Sequence, residues 1–155
     1  IAVFDQSMFV NSTVSGGSDT LTNLMAKKLN ITSSEAYVIK SQYGIGPSDK
    51  STQIMEAARP ILEPLLREVR KTMRYYDQRA ASRYRKISQI ITTGGGGTIL
   101  GLNEYFTREL GMPTRSLNPW PNIDFGSLKQ PTELASSMYV TVAGEAILTA
   151  REIFE

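Results

Sequence analysis

Apolar residues at the start of the chain follow strand spacing and then helical spacing. Residues 1–4 and 8–14 form two short apolar or alternating runs, and the polar residues 5–7 between them are typical of a turn. This pattern predicts a β-hairpin. Gly16-Gly17 breaks the strand pattern, and Ser18 or Asp19 is expected to cap a helix. The apolar positions of that helix lie three and four residues apart: Leu21, Leu24, Met25 and Leu29.

Two further helices are predicted in the next part of the chain. The first begins with a capping box, in which Thr32 accepts from the third helical amide and Glu35 reaches back, and it ends at Gly44. The second keeps helical spacing over 52–81 and is the longest regular element. It contains two prolines, each of which removes a backbone donor. We therefore expect a kink or a break, with a new helix starting at about Pro60.

The second half of the chain alternates short strands with helices. The isoleucine-rich run 87–91 predicts a short buried strand. Four consecutive glycines at 94–97 separate it from a helical pattern at 102–110. A short strand at 114–117 and a last helix from about Leu134 come after it. This order of elements predicts an α/β domain of three layers, in which helices pack on a sheet.

The composition excludes several kinds of chemistry. A chain of 155 residues fits one domain with one hydrophobic core. It contains no Cys and no His, which excludes disulfides, thiol nucleophiles, Ser-His-Asp triads and His-rich metal sites. No apolar run is long enough for a membrane-spanning helix, and no signal peptide is visible. The formal net charge of +2 is too small to indicate a nucleic-acid partner by itself.

The four glycines join a predicted strand to a predicted helix, and that position allows two roles. Without Cβ atoms the turn would let a ligand approach the backbone, and the helix start beyond it would attract a phosphate or a polar nucleotide edge. Alternatively, the glycines only make a tight turn. The pattern is not a Walker loop, because no Gly-Lys-Ser/Thr ends it, and its spacing does not fit a Rossmann fingerprint.

Several segments resemble the actin-like ATPases. Residues 91–101, Ile-Thr-Thr-Gly-Gly-Gly-Gly-Thr-Ile-Leu-Gly, are similar to the adenosine-motif turn of actin, FtsA and the sugar kinases. The helix at 102–113 and the stretch Asn118-Pro119-Trp120 resemble the helix and loop after that turn in the PilM family of type IV pilus assembly proteins. The other similar segments are Gly16-Gly17 with Leu21-Thr22, Glu35-Ala36 with Lys40, 67–76 and 142–148. The resemblance keeps its order over nearly the whole chain.

This resemblance implies a fold class. It is α/β, an RNase H-like (actin-like ATPase) domain with helices packed on a mixed sheet, incomplete at the N-terminus. Residues 1–155 would be the second, C-terminal domain, with a small helical insertion at about 30–50. In such ATPases the nucleotide lies in a cleft between two RNase H-like domains. The chain is therefore expected to supply one side of that cleft.

The resemblance also implies site residues. Gly94, Gly95, Gly96 and Gly97 would pass beneath the adenosine, and Gly16 and Gly17 would lie toward the phosphates. Lys40 would reach the ribose or adenine. Where the family has a second Glu this chain has Tyr37, which cannot accept both ribose hydroxyls as a carboxylate can but would pack against the base. ATP or ADP with Mg²⁺ is expected in the complete protein, and no catalytic or metal-binding residue is expected in this chain.

The implied function is that of a PilM-like assembly factor for type IV pili, located in the cytoplasm and peripheral to the inner membrane. Its expected partners are a missing N-terminal domain of the same protein and, through that domain, the tail of a PilN-like inner-membrane protein, and self-association is possible. Phosphoryl transfer needs Mg²⁺ and groups from both sides of the cleft. This chain alone is therefore not expected to hydrolyse ATP.

Several alternatives stay open. The parent protein is either of the PilM type or another actin-like protein, such as an FtsA-like division protein or a sugar kinase. A further possibility is a basic helix that binds nucleic acid or a membrane surface, although a solvated helix face is the more usual role of such residues and no nucleic acid is expected. The basic residues concerned are Arg67, Arg70, Lys71, Arg74, Arg79, Arg83, Arg85 and Lys86.

Overall fold

The computed structural model describes residues 1–5, 7–79 and 85–148. Four short strands and six helices follow one another along these residues. They are β1 (Ala2–Asp5), β2 (Ser7–Asn11), α1 (Ser18–Leu29), α2 (Ser33–Tyr43), α3 (Ser51–Arg79), β3 (Ile90–Thr92), α4 (Leu102–Leu110), β4 (Thr114–Ser116), α5 (Glu133–Ser136) and α6 (Val140–Ile147). Short 3₁₀ turns lie at Gly95–Thr98, Trp120–Asn122 and Ser137–Tyr139.

The predicted β-hairpin is confirmed. β1 and β2 pair antiparallel, with an irregularity in register between Val3 and Phe4. The hairpin packs on α3, where the Phe9 ring meets Tyr76 edge to face with 5.0 Å between ring centroids. The Ser12 hydroxyl just after β2 donates to a Glu68 carboxylate oxygen at 2.6 Å. These contacts attach the hairpin to the longest helix.

The starts of α1 and α2 differ in their capping. The capping box of α2 is confirmed, because the Thr32 hydroxyl accepts from the Glu35 amide and the Glu35 carboxylate accepts from the Thr32 amide. Helix α2 ends at Gly44 as predicted. The expected cap of α1 by Ser18 or Asp19 is wrong, since the N-cap residue is Gly17 and no side chain caps this end. The first amides of α1 therefore lack a side-chain acceptor.

Helix α3 runs unbroken through both prolines, so the expected start of a new helix at Pro60 is wrong. The fixed φ of proline is compatible with a helix, and packing on both sides of the prolines holds it together. Ala58, Leu62 and Leu66 are buried. Residues 80 and 81 of the predicted helix, and Arg83 of the basic run, lie outside the described residues. Among the described residues no helix combines the length and apolarity that crossing a membrane requires.

The core lies between α1, α2, α3 and α4. Its members are apolar side chains of these helices and of the loop after α2: Leu21, Met25, Ala26, Ala36, Ile45, Ile54, Ala57, Ala58, Leu62, Leu66, Leu102 and Phe106. Leu21 and Met25 of the apolar face predicted for α1 belong to this core, because a face with apolar residues three and four apart turns away from water.

The described strands form two pairs, β1 with β2 antiparallel and β3 with β4 parallel. Both kinds of pairing therefore occur, as expected of a mixed sheet, but the two pairs are not hydrogen-bonded to each other. Strand β3 is not buried as predicted, since Ile91 is 41% exposed. The last predicted helix is divided into α5, a 3₁₀ turn and α6. The parallel pair aligns Thr92 with Ser116, so both strands end at the same edge, next to the glycine turn.

Candidate functional site

Gly94, the first residue of the glycine turn, is held by hydrogen bonds at both its amide and its carbonyl. Gly94 has φ 74°, a conformation that favours glycine. Its amide donates to the Ser137 carbonyl at 2.7 Å, and the Ser137 hydroxyl donates to the Gly94 carbonyl at 3.2 Å. Ser137 is only 2% exposed. The 3₁₀ turn between α5 and α6 therefore anchors the start of the glycine run.

The middle of the glycine turn is open. A Cβ atom placed on Gly95 or Gly96 would meet no atom within 4 Å, whereas one on Gly97 would lie 3.3 Å from the Thr92 carbonyl carbon. Among the described residues, the amides of Gly95 and Gly96 form no hydrogen bond. The amide of Gly97 donates to the Gly94 carbonyl. A ligand can therefore contact the main chain at two of the four glycines.

A cleft of about 660 Å³ extends from the end of this turn. Polar and apolar side chains line it, and only one of them, Glu104 in the first turn of α4, carries a charge. The lining residues are 97–101 with Asn103, Glu104, Ser116, Asn118 and Ser136. Helix α4 begins at Leu102 as predicted, and a 3₁₀ turn at Gly95–Thr98 lies between β3 and this helix. A carboxylate at that position repels a phosphate but accepts hydrogen bonds from hydroxyl groups.

A series of hydrogen bonds between polar side chains holds the last residue of the glycine turn in place. The Thr92 hydroxyl donates to Asn103 Oδ1 at 2.9 Å, and Asn103 Nδ2 donates to Ser116 Oγ at 2.9 Å. The Ser116 hydroxyl in turn donates to the Gly97 carbonyl at 3.0 Å. The ends of β3 and β4 and the first turn of α4 thus fix the position of Gly97.

The end of α2 and the loop after it contact the segment between the glycine turn and α4. Ile45 donates its amide to the Leu100 carbonyl at 2.8 Å. A Cβ on Gly44 would collide with the Leu100 backbone, and one on Gly101 would lie 2.6 Å from the Gly46 nitrogen. Gly44 and Gly101 have φ 55° and 80°. Two glycines in conformations that other residues avoid therefore permit this close backbone contact.

A second group of predicted residues lies at the start of α1. Gly16 and Gly17 are exposed and lead into the N-terminus of this helix, whose first turn no side chain caps. Lys40 is 6% exposed, and its ammonium donates to the Ser18 carbonyl at 3.1 Å, to the Ser18 hydroxyl at 2.7 Å and to the Thr22 hydroxyl at 2.7 Å. Burial lowers the pKa of Lys40 from its usual value, and the Asp19 carboxylate partly opposes this shift. The ammonium is thus held by neutral oxygens at a helix N-terminus.

Tyr37 lies on the same helix as Lys40 and is 60% exposed. Its ring centroid is 5.2 Å from the Lys40 ammonium nitrogen, within the range of a cation–π interaction. The phenol therefore stands beside the buried ammonium with most of its surface in solvent.

The predicted site residues fall into two groups in the structure. Gly97, the last residue of the glycine turn, lines the cleft, whereas Gly16, Gly17, Tyr37 and Lys40 gather where α1 begins and α2 passes. Contact between the groups runs through the loop after α2, which touches Leu100 and Gly101. The ammonium of Lys40 is engaged by α1, and Lys40 is not among the residues that line the cleft. A ligand contact from this ammonium would require it to leave these acceptors.

Sequence reasoning missed the residues that support the turn. Asn103, Ser116 and Ser137 carry no motif, and Gly44 was identified only as a helix end. A signal was present in the hydroxyl residues at the ends of two parallel strands, because ligands bind outside the carboxyl ends of such strands. Within the described ranges no group of three or more acidic residues comes together as a metal site would require.

Comparisons with known proteins identify relatives of the chain. The family model described as type IV pilus assembly protein PilM matches residues 2–149. Among solved structures, ethanolamine utilization protein EutJ from Carboxydothermus hydrogenoformans aligns with a TM-score of 0.62 and 21% identity, over 96% of this chain and 44% of EutJ. A chain of the PilM-PilN type IV pilus biogenesis complex aligns with a TM-score of 0.59 and 22% identity, over 83% of this chain and 36% of that one.

These matches confirm the expected fold. The two structures have the actin-like ATPase (RNase H-like) fold, and a structural match of this quality at such low identity establishes the fold of this chain. The chain spans less than half the length of either structure. Among the actin-like alternatives considered from the sequence, the family match favours the pilus assembly type over a division protein or a sugar kinase.

Proposed function

Because the chain belongs to the family of type IV pilus assembly proteins called PilM, we propose that it is the nucleotide-binding half of a cytoplasmic pilus assembly factor. The observation that carries this proposal is the open backbone of Gly95 and Gly96 beside a cleft of about 660 Å³. That volume lies within the range of about 300 to 1,000 Å³ typical of small-molecule sites.

The cleft beside the turn suits the nucleoside part of ATP or ADP. Its polar groups are neutral amides and hydroxyls, apart from the Glu104 carboxylate. Hydroxyl and amine groups of a nucleoside would donate to that carboxylate, whereas a phosphate would be repelled by it. The base would lie against the main chain of Gly95 and Gly96, where no side chain intervenes.

The start of α1 suits the phosphates. Its amides have no side-chain cap, and the positive end of the helix dipole favours an anion there. The Lys40 ammonium adds a full positive charge next to Ser18, and a phosphate oxygen is a stronger acceptor than the neutral oxygens that now hold it. Gly16 and Gly17 allow close approach to this end. Tyr37, which is 60% exposed beside Lys40, lies at the edge of this phosphate position.

The chain supplies only part of the proposed site. ATP hydrolysis needs Mg²⁺ and positioned groups around the transferred phosphate. We propose that another domain of the full-length protein supplies these groups and that this chain alone is not an active ATPase. One solved neighbour belongs to a PilM-PilN complex. We propose a PilN-like partner for this protein too, bound through that other domain, and hence a location at the cytoplasmic face of the inner membrane.

Nucleotide titration tests the glycine turn. Isothermal titration of full-length protein that carries this chain with ATP and Mg²⁺ is repeated on Gly95→Val, whose side chain would enter the proposed nucleoside contact. We expect affinity to fall at least about tenfold, which corresponds to about 1.4 kcal/mol. Gly144→Val in α6 is the matched control, because a Cβ there also meets no atom within 4 Å. Equal affinity of the Gly95→Val variant and the parent protein would remove the turn from the proposed site.

A further inference from the structure

A second concave surface lies between α3 and α4, away from the glycine turn. It is a groove of about 510 Å³ between residues 55–70 of α3 and residues 105–109 of α4. Four arginines are among its lining residues: Arg59, Arg67, Arg70 and Arg108. We call this surface the arginine groove. It contains part of the basic run seen in the sequence, together with Arg108, which the sequence did not connect to it.

The positive charge of the arginine groove is only partly compensated. Arg59 pairs with Glu63 at 3.7 Å, and Arg108 pairs with Glu109 at 3.3 Å. Arg70 donates to the carbonyl of Glu109 at 2.6 Å, which leaves its charge without a carboxylate. Within the described part of the chain Arg67 forms no hydrogen bond or ion pair. Four arginines against two glutamates leave two positive charges in the groove.

The floor of the groove is apolar. Leu66 is 4% exposed, and Met55 and Tyr105 are half-buried. Burial, together with the nearby Glu109 carboxylate, raises the pKa of the Tyr105 phenol. A partner that fits must therefore bring both an apolar side chain and negative charge. The arginine groove is in this respect unlike a purely electrostatic surface, which needs no apolar contact.

We propose that the arginine groove binds an acidic segment of a partner protein. Carboxylates of the segment pair with Arg67 and Arg70, because a guanidinium presents a planar fork that matches a carboxylate. An apolar side chain of the same segment lies on Met55 and Tyr105. Nucleic acid fits less well, since a phosphate backbone brings no aliphatic side chain to the apolar part of the groove.

Fluorescence anisotropy with a defined probe tests this proposal on the full chain. The probe is a fluorescein-labelled peptide with repeats of Glu-Glu-Leu, and a second peptide carries Gln in place of every Glu. We expect the acidic peptide to bind and the Gln peptide to bind at least about tenfold more weakly, because the charged contacts are lost. The double variant R67E/R70E is expected to lower affinity for the acidic peptide by a similar factor.

The matched control is the double variant K50E/K129E. It changes the net charge by the same amount at two exposed lysines that do not line the groove. Far-ultraviolet circular dichroism verifies that each variant is folded, and R67Q/R70Q replaces the charge reversal if that variant fails to fold. Equal loss of affinity in both double variants would overturn the proposal, as it would indicate only a general charge effect.

Two further outcomes would also overturn it. Equal binding of the Gln peptide would mean that the carboxylates are not recognised. Tighter binding of a labelled single-stranded oligonucleotide than of the acidic peptide, with affinity that falls steeply with salt, would identify a nucleic-acid surface instead. Neither outcome depends on ATP binding, so this test is independent of the proposed nucleotide site.

Discussion

The contact between the end of α2 and the Leu100 backbone, just after the glycine turn, is expected to depend on Gly44. In the variant Gly44→Ala the new Cβ would meet the Leu100 carbonyl oxygen and lie 2.7 Å from the Leu100 nitrogen. These are backbone atoms, so no side-chain rotation relieves the overlap. Gly44 also has φ 55° and ψ −126°, a conformation that residues with a Cβ rarely adopt.

The expected cost has three contributions. The positive φ costs about 1 kcal/mol for a residue other than glycine. The steric overlap costs about 1 to 3 kcal/mol, as do other insertions into well-packed sites. Separation of the two segments also weakens the hydrogen bond from the Ile45 amide to the Leu100 carbonyl, worth about 1 kcal/mol. The free energy of unfolding should therefore fall by about 3 to 5 kcal/mol, a large part of the usual 5 to 15 kcal/mol of a domain.

Urea and thermal unfolding monitored by circular dichroism measure this loss. For a chain of this size 1 kcal/mol lowers Tm by about 2 to 4 °C, so Gly44→Ala should melt at least about 6 °C lower. Gly95→Ala is the matched control, because its Cβ meets no atom within 4 Å and its φ is not positive, and it should change stability by less than about 0.5 kcal/mol. If both variants are as stable as the parent chain, the close contact between Gly44 and the Leu100 backbone does not exist in solution.

Three other substitutions test local contacts. Thr32→Ala removes the N-cap of α2 and should cost about 1 kcal/mol, or about 2 to 4 °C in Tm, measured by thermal unfolding. Tyr76→Phe removes the hydrogen bond that the phenol donates to the Arg85 carbonyl at 2.7 Å and should cost about 1 kcal/mol in urea unfolding. Lys40→Met should remove a pH dependence of stability. The pKa of Lys40 is lower in the folded state than its ordinary value near 10.5, so the folded chain releases this proton at lower pH than the unfolded chain does. The contribution of Lys40 to the free energy of unfolding therefore rises as the pH increases from the folded pKa to about 10.5.

Each of these substitutions has its own control. Thr20→Ala, at an exposed position inside α1, should leave Tm nearly unchanged, and a loss equal to that of Thr32→Ala would argue against the cap. Tyr75→Phe changes the exposed neighbour of Tyr76 and should be neutral. For Lys40, unfolding of the parent chain and of Lys40→Met is compared from neutral to alkaline pH. A difference in stability that stays constant over that range would contradict the burial of the ammonium.

Local sequence determined most of the secondary structure. The Thr32 and Glu35 pair defined the start of α2 because a capping box is formed by residues three apart and needs no distant partner. Apolar spacing identified α3 as the longest helix for the same reason. The prediction of a break at the prolines of α3 was wrong. The cost of a missing helix hydrogen bond can be read from the local sequence, whereas the burial of Leu62 and Leu66 that offsets this cost depends on residues far along the chain.

Only the tertiary structure decided how the site is assembled. The sequence identified the glycine run, and its resemblance to a family identified Lys40, but neither could place the Lys40 ammonium on Ser18 and Thr22 or bring Ser137 to Gly94 across 43 positions of the chain. The arginine groove likewise combines α3 with Arg108 of α4. Such contacts depend on how helices pack against one another, and the spacing of residues within one element carries no information about its neighbour.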